Sequence, residues 1–274
     1  MPAATPAPNL DDLRARAEAL RALHTDPAIL VLVNVWDAAS ARTVASVPGC
    51  RAIATASWAI AAAQGLADGE VIGREGMLEA VGWVARAVDL PVTADLEGGY
   101  GATPADVGET IARAIQAGAV GCNVEDGLRE GNTLRDAEDA AARVAAAREQ
   151  ADVEGVPVVI NARTDVYLRG ANDPEAAFLR GQAYARAGAD CIFVPGVSDR
   201  ETIKALVDGI DAPVSVLARP GAPSVTELQE LGVARVSFGP GPMGVALAAL
   251  ARTASDLLGG GVPADELSYR PPAA

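Results

Sequence analysis

Eight short apolar runs recur along 274 residues with helix-like stretches between them, and this restricts the chain to very few folds. The runs cover residues 29–37, 52–57, 91–97, 121–126, 157–165, 191–196, 213–218 and 234–239. They are nearly continuous rather than alternating, as expected of parallel strands covered on both faces. Ala-rich amphipathic stretches fall at 38–46, 73–87, 104–117, 134–154, 174–187, 199–207, 224–231 and 244–258. Thr103-Pro104 and Asp173-Pro174 read as helix starts, a capping side chain followed by the residue that tolerates the first turn. Gly118, Gly188 and Gly232 read as helix stops. Eight strand–helix alternations in this length predict a (β/α)8 TIM barrel. An open doubly wound sheet is the alternative. It usually has fewer strands, and no G-x-G-x-x-G follows the first run. No linker divides the chain. The expectation is one barrel domain over residues 1–274, with tails at about 1–8 and about 259–274.

Composition narrows the partners. The net charge is −14, which argues against nucleic acid or an anionic membrane. It leaves room for an anionic substrate, because one metal ion and one Arg can reverse a local field. No apolar run approaches the ~20 residues a spanning helix needs. The Pro-rich start, Met1 to Pro8, does not read as a signal peptide. Cys50, Cys122 and Cys191 show no metal-binding spacing and read as reduced thiols of a cytoplasmic protein. The single histidine, His24, lies in the first amphipathic stretch and reads as a packing or surface residue.

In a barrel, chemistry sits where strands end. The first five ends are polar: Asn34 and Asp37; Thr55, Ser57 and Trp58; Asp95 and Glu97; Asn123, Glu125 and Asp126; Asn161, Arg163 and Asp165. Strand alternation would send Asp95 and Glu97 to one side. Like-charged carboxylates at a buried strand end repel unless a cation or a shared proton relieves them. Oxygen donors of this kind suit Mg²⁺, with Mn²⁺ as the alternative. The remaining types of chemistry lack their residues. There is no histidine at a strand end for a Ser/His/Asp or Cys/His arrangement, no lysine there for a Schiff base, and no Walker-type phosphate loop.

Four ordered segments then point to a family. Asn34-x-Trp-Asp-Ala-Ala-Ser-Ala-Arg42, Thr93-Ala-Asp-Leu-Glu-Gly-Gly-Tyr-Gly101, Asn123-Val-Glu-Asp126 and Ile160-Asn-Ala-Arg-Thr-Asp165 resemble the isocitrate lyase/phosphoenolpyruvate mutase superfamily. The resemblance runs from about Asn34 to about Gly239. It implies a barrel that binds Mg²⁺ and a 2-oxo acid or its enolate. Carried over by position, Asp95 is the direct metal ligand, and Glu97, Glu125 and Asp68 hold the metal largely through its waters. Arg163 contacts the substrate and stabilises its negative charge. Ser57, Trp58 and Gly98 fall at the substrate, with Asn123 and Asn161 beside it. The resemblance also implies a homotetramer that exchanges C-terminal helices.

The departures set the expected activity. Members that cleave isocitrate or methylisocitrate carry a Cys- and His-containing loop after strand four. Here that loop runs Glu125-Asp-Gly-Leu-Arg-Glu-Gly-Asn-Thr-Leu134, with neither residue. Phosphonopyruvate-forming mutases use a Lys-Thr-Asn segment there, which Asn132-Thr133 matches only in part. The expectation is therefore a Mg²⁺-dependent lyase of a small 2-oxo or 2-hydroxy dicarboxylate, oxaloacetate-like, acting through an enolate. The alternatives are a P–C bond mutase or hydrolase, and a barrel that binds an oxo acid without turnover. Gly127 to Leu134 reads as a lid, with Arg129, Glu130 and Asn132 as candidate contacts to the leaving group and Asn132 foremost.

Overall fold

The computed structural model describes residues 9–128, 130–169, 172–262, 264 and 269. Its nine strand segments form one all-parallel sheet that curls into a nearly closed barrel. Strand β1 has two segments, Leu30–Leu32 and Asn34–Val35. The others are β2 (Ile53–Thr55), β3 (Val92–Asp95), β4 (Gly121–Glu125), β5 (Val159–Arg163), β6 (Cys191–Val194), β7 (Val214–Leu217) and β8 (Arg235–Ser237). The first segment of β1 pairs with β8 and the second with β2, so one strand joins both edges of the sheet. This is the (β/α)8 architecture expected from the alternation of runs. β2, β3, β6 and β8 are buried along their whole length, which is why their sequences are mainly apolar, with Thr93, Asp95, Arg235 and Ser237 among the buried polar exceptions.

Helix α1 (Leu10–His24) precedes the barrel. Leu13, Ala17 and Leu20 bury its inner face. Leu20 reaches Gly121 at the amino end of β4, within 2.6 Å of where a Cβ would stand. The helix thus covers the amino-terminal mouth, and His24 is buried there as a packing residue. Around the barrel follow α2 (Ala38–Ala45), α3 (Ser57–Ala63), α4 (Gly73–Arg86), α5 (Pro104–Ala117), α6 (Ala137–Glu154), α7 (Pro174–Arg186), α8 (Arg200–Gly209), α9 (Val225–Glu230) and α10 (Gly241–Leu258). Thr103 and Asp106 form a reciprocal capping box at α5, and Asp173 caps α7.

Several boundaries differ from the sequence reading, three of them with a clear local cause. The run expected to end at Ser57 ends at Thr55, because Ser57 opens the short helix α3. Helix α6 starts at Ala137 rather than Leu134, since Leu134 bridges back to Gly127 and Asp136 takes the cap. Helix α10 starts at Gly241, where Pro242 is accommodated in the first turn. No helix among the described residues is long and apolar enough to cross a membrane. The tail expected at 1–8, Arg129 and most of the tail beyond residue 262 lie outside the described residues.

Candidate active site

Asp95 is the last residue of β3. Its backbone N–H donates to Thr55 Oγ1 at 2.8 Å. Its carboxylate accepts from the Ser57 N–H at 3.0 Å and from Asn123 Nδ2 at 3.3 Å. Asn123 Oδ1 in turn accepts from Asn161 Nδ2 at 2.7 Å and from Arg235 Nη2 at 3.3 Å. A buried polar chain from three neighbouring strands, reinforced by β8, therefore fixes Asp95 from beneath. Ser57, expected at the substrate, sits beside Asp95, and its N–H is engaged by that carboxylate.

Glu97 reaches the same site by a different route from the one alternation suggests. β3 has stopped, and Glu97 has φ 51°, a left-handed conformation unusual outside glycine. The turn is held on both sides. Glu97 Oε2 accepts from the Glu70 N–H at 2.6 Å, and Oε1 accepts from the Tyr100 hydroxyl at 2.5 Å. Glu70 Oε1 accepts from the Tyr100 N–H at 2.6 Å. Gly99 completes the turn at φ 93°, where a Cβ would stand 2.7 Å from Val107.

Glu125 and Arg163 are register partners on β4 and β5, so their side chains meet across the strands. Arg163 Nη1 lies 2.6 Å from Glu125 Oε2. Its Nε donates to Asp165 Oδ1 at 2.6 Å and its Nη2 to Asp165 Oδ2 at 3.1 Å. The guanidinium also lies 5.9 Å from the Phe193 ring centre. Asp68 comes from the loop after α3, and the Ser57 hydroxyl donates to it at 3.3 Å.

The electrostatics follow from burial and crowding. Burial raises the Asp68 carboxyl above its usual range, and Asp95 adds to the rise. Burial pushes Glu97 up to about 7, against the Tyr100 hydrogen bond and with Asp68 and Asp95 adding. Burial lifts Glu125 well above the ordinary carboxylate range despite Arg163. Burial disfavours the Arg163 charge, but Glu125 and Asp165 outweigh it and hold the guanidinium protonated. Carboxylates that raise one another's pKa in a cleft mark a site short of positive charge.

These groups border a cavity of about 330 Å³ at the carboxyl ends of β3 to β5. Asp68, Glu97, Gly98, Glu125 and Arg163 line it, together with Asp165. Asp95 and Asn123 lie just behind it, and Asn161 lies deeper, hydrogen-bonded to Asn123. Trp58 is 45% exposed on α3 and does not line the cavity. Asn132 is exposed at φ 50°, and its amide oxygen accepts from Arg169 Nη1 at 2.9 Å. Glu70, Tyr100, Arg135, Arg169 and Arg235 are site residues that the strand-end reading missed. Tyr100 lies within the Thr93–Gly101 segment, but its pairing with Glu70 depends on left-handed turns at both residues.

The donors facing the cleft are oxygens, which suits a hard divalent cation. Among the described residues no three His, Cys, Asp or Glu side chains close on one point as a ready cage. Cys122 cannot stand in for a loop acid, because it is buried inside β4 and its thiol is pushed up to about 12 by burial.

Comparison with known proteins gives a consistent picture. The family model described as phosphoenolpyruvate phosphomutase matches residues 20–258. A crystal structure from Burkholderia cenocepacia J2315, provisionally described as a phosphonomutase, is similar with a TM-score of 0.85 and 46% identity, covering 89% of this chain and 98% of that one. An uncharacterised protein of Mycobacterium tuberculosis H37Rv is 34% identical over 254 residues, 90% of this chain and 94% of its own. Oxaloacetate decarboxylase 2 of Pseudomonas fluorescens Pf0-1 is 29% identical over 165 residues, 58% of this chain and 54% of its own.

Proposed function

We propose that this chain, which belongs to the phosphoenolpyruvate phosphomutase family of lyases and mutases, is a Mg²⁺-dependent lyase of a small oxaloacetate-like 2-oxo or 2-hydroxy dicarboxylate. The observation that carries the reading is the cluster of Asp68, Asp95, Glu97 and Glu125 around one arginine, with burial raising three of the four carboxyls. Asp95 would hold the cation directly, and Glu97, Glu125 and Asp68 through its waters. A bound divalent cation supplies Lewis acidity toward the 2-oxo acid and neutralises the carboxylates.

The chain's own residues do the rest. Arg163 presents the N–H groups left free by Glu125 and Asp165 to the oxygen on which enolate charge develops when the adjacent bond breaks. Its orientation is fixed by both carboxylates, so no reorganisation is needed as charge appears. Asn123, anchored by Asn161 and Arg235, keeps Asp95 in place. Tyr100 fixes Glu97 Oε1 by donating its hydroxyl hydrogen to it. The cavity is small by the standard of ligand pockets, which suits a compact acid. Similarity to an oxaloacetate decarboxylase supports C–C bond cleavage. The 46% identity to a provisional phosphonomutase supports P–C chemistry as the second reading. Assembly through α10 belongs to the same proposal, supported by Val245, Leu250 and Leu258, which are exposed along that helix.

The test is a turnover screen with oxaloacetate, substituted malates and phosphonopyruvate, with and without EDTA. Loss of C–C cleavage with EDTA and its return with Mg²⁺ is the expected result. Activity indifferent to EDTA refutes the reading, and turnover of phosphonopyruvate alone replaces it with the second.

A further inference from the structure

The cavity bordered by the carboxylate cluster is also lined by two further arginines, Arg135 and Arg169, with Leu128 and Leu168 beside them. Arg163 is already engaged, by Glu125 as an ion pair at 2.6 Å and by Asp165 through two hydrogen bonds at 2.6 and 3.1 Å. Arg135 and Arg169 are held differently. The contacts of Arg135 Nη1 to Asp139 and of Arg169 Nη2 to Asp165 are both 3.5 Å, at the limit of a hydrogen bond. Arg169 has one good partner, the exposed amide oxygen of Asn132. The Nε groups of both arginines are buried without an acceptor among the described residues. One glycine makes room for Arg169: a Cβ on Gly127 would stand 2.5 Å from its Nη2.

We infer that Arg135 and Arg169 form a second anion subsite, which takes the far carboxylate or phosphonate of a ligand whose other end lies at the carboxylate cluster. Two guanidiniums with loosely engaged donors are suited to a group with two or three anionic oxygens. Leu128 and Leu168 add apolar surface beside the two guanidiniums. The substrate class this selects is a short dianion rather than a monocarboxylate. Asn132 then acts as a positioning residue, through Arg169, and carries the loop after β4 toward the ligand. The inference rests on the proposed function only for what occupies the other end of the cavity.

Unreactive probes separate the two. Calorimetric affinities for succinate, 3-phosphonopropionate and propionate would be measured with Mg²⁺ present, on the wild type and on Arg135→Gln, Arg169→Gln and Arg169→Lys. The chain lengths match, and only the far anionic group differs. The expected result is a loss of tenfold or more for at least one dianion in each Gln variant, with propionate within twofold and partial recovery in Arg169→Lys. The dianion that loses more identifies carboxylate or phosphonate as the natural group. Unchanged dianion affinity, an equal loss for propionate, or no dianion binding to the wild type overturns the subsite. A negative turnover screen would leave these affinities untouched.

Discussion

Arg163 combines fixed orientation with permanent charge. Lysine at this position would keep the charge but could not span Glu125 and Asp165 and still point N–H groups at a substrate oxygen. Arg163→Lys is expected to lower kcat by roughly 100-fold, the scale of losing one oxyanion donor. A change confined to KM would mean that the side chain only binds substrate. His24 illustrates a residue whose burial is purely structural. Its Nδ1 lies 2.8 Å from the Leu20 carbonyl, and its Nε2 lies 3.5 Å from the Arg235 guanidinium. Burial lowers its pKa from 6.5 to about 4, and Arg235 adds to the effect. Above pH 6.5 both folded and unfolded chains hold a neutral ring. As pH falls toward 4 the unfolded chain takes up a proton that the folded chain refuses, so stability falls with it. The loss from this one group is at most about 3 kcal/mol. Urea midpoints across that range should drop more steeply in the wild type than in His24→Gln. Parallel profiles would show that other groups set the acid limit.

At the scale of elements, the loop after β3 depends on a side chain from α6. Arg143 is 1% exposed, and its guanidinium donates to the carbonyls of Gly98 at 3.3 Å, Gly101 at 3.1 Å and Ala102 at 2.5 Å. Arg143→Met keeps the stem but leaves those carbonyls without their donors. The expected cost is about 3 kcal/mol, from orphaned buried acceptors. It should come with weaker metal binding, since Glu97 sits in the same turn. Full stability in the variant would mean that water replaces the guanidinium at no cost. Legibility in the sequence follows the same division between strands and loops. The eight runs were readable because parallel strands buried on both faces leave an unbroken apolar signature. Asp95, Glu125 and Arg163 were readable because they end such runs. The route of Glu97 was not, since its position comes from a left-handed turn that sequence alternation does not encode. Arg135 and Arg169 lie in or beyond loops, where spacing does not determine which way a side chain points. Arg235 was hidden in a run that is otherwise apolar, although a lone charge within a barrel strand signals an interior polar contact.

At the scale of the molecule, the barrel separates stability from chemistry. Helix α1 and His24 cover the amino end, while the acidic cleft opens at the carboxyl ends of β3 to β5. The net charge of −14 is repeated locally, with five carboxylates and three guanidiniums lining the cavity. A cleft with more carboxylates than guanidiniums is destabilised by its own charge and gains from a divalent cation. The central claim is that the cleft is built to hold such a cation with Asp95 as its direct ligand. Mn²⁺ binding followed by electron paramagnetic resonance on wild type and Asp95→Ala, with circular dichroism to verify folding, tests it most directly. The expected result is one bound Mn²⁺ per chain, displaced by Mg²⁺, and an affinity at least about tenfold weaker in Asp95→Ala. Equal affinity in a folded Asp95→Ala protein, or no Mn²⁺ bound by the wild type, would contradict it.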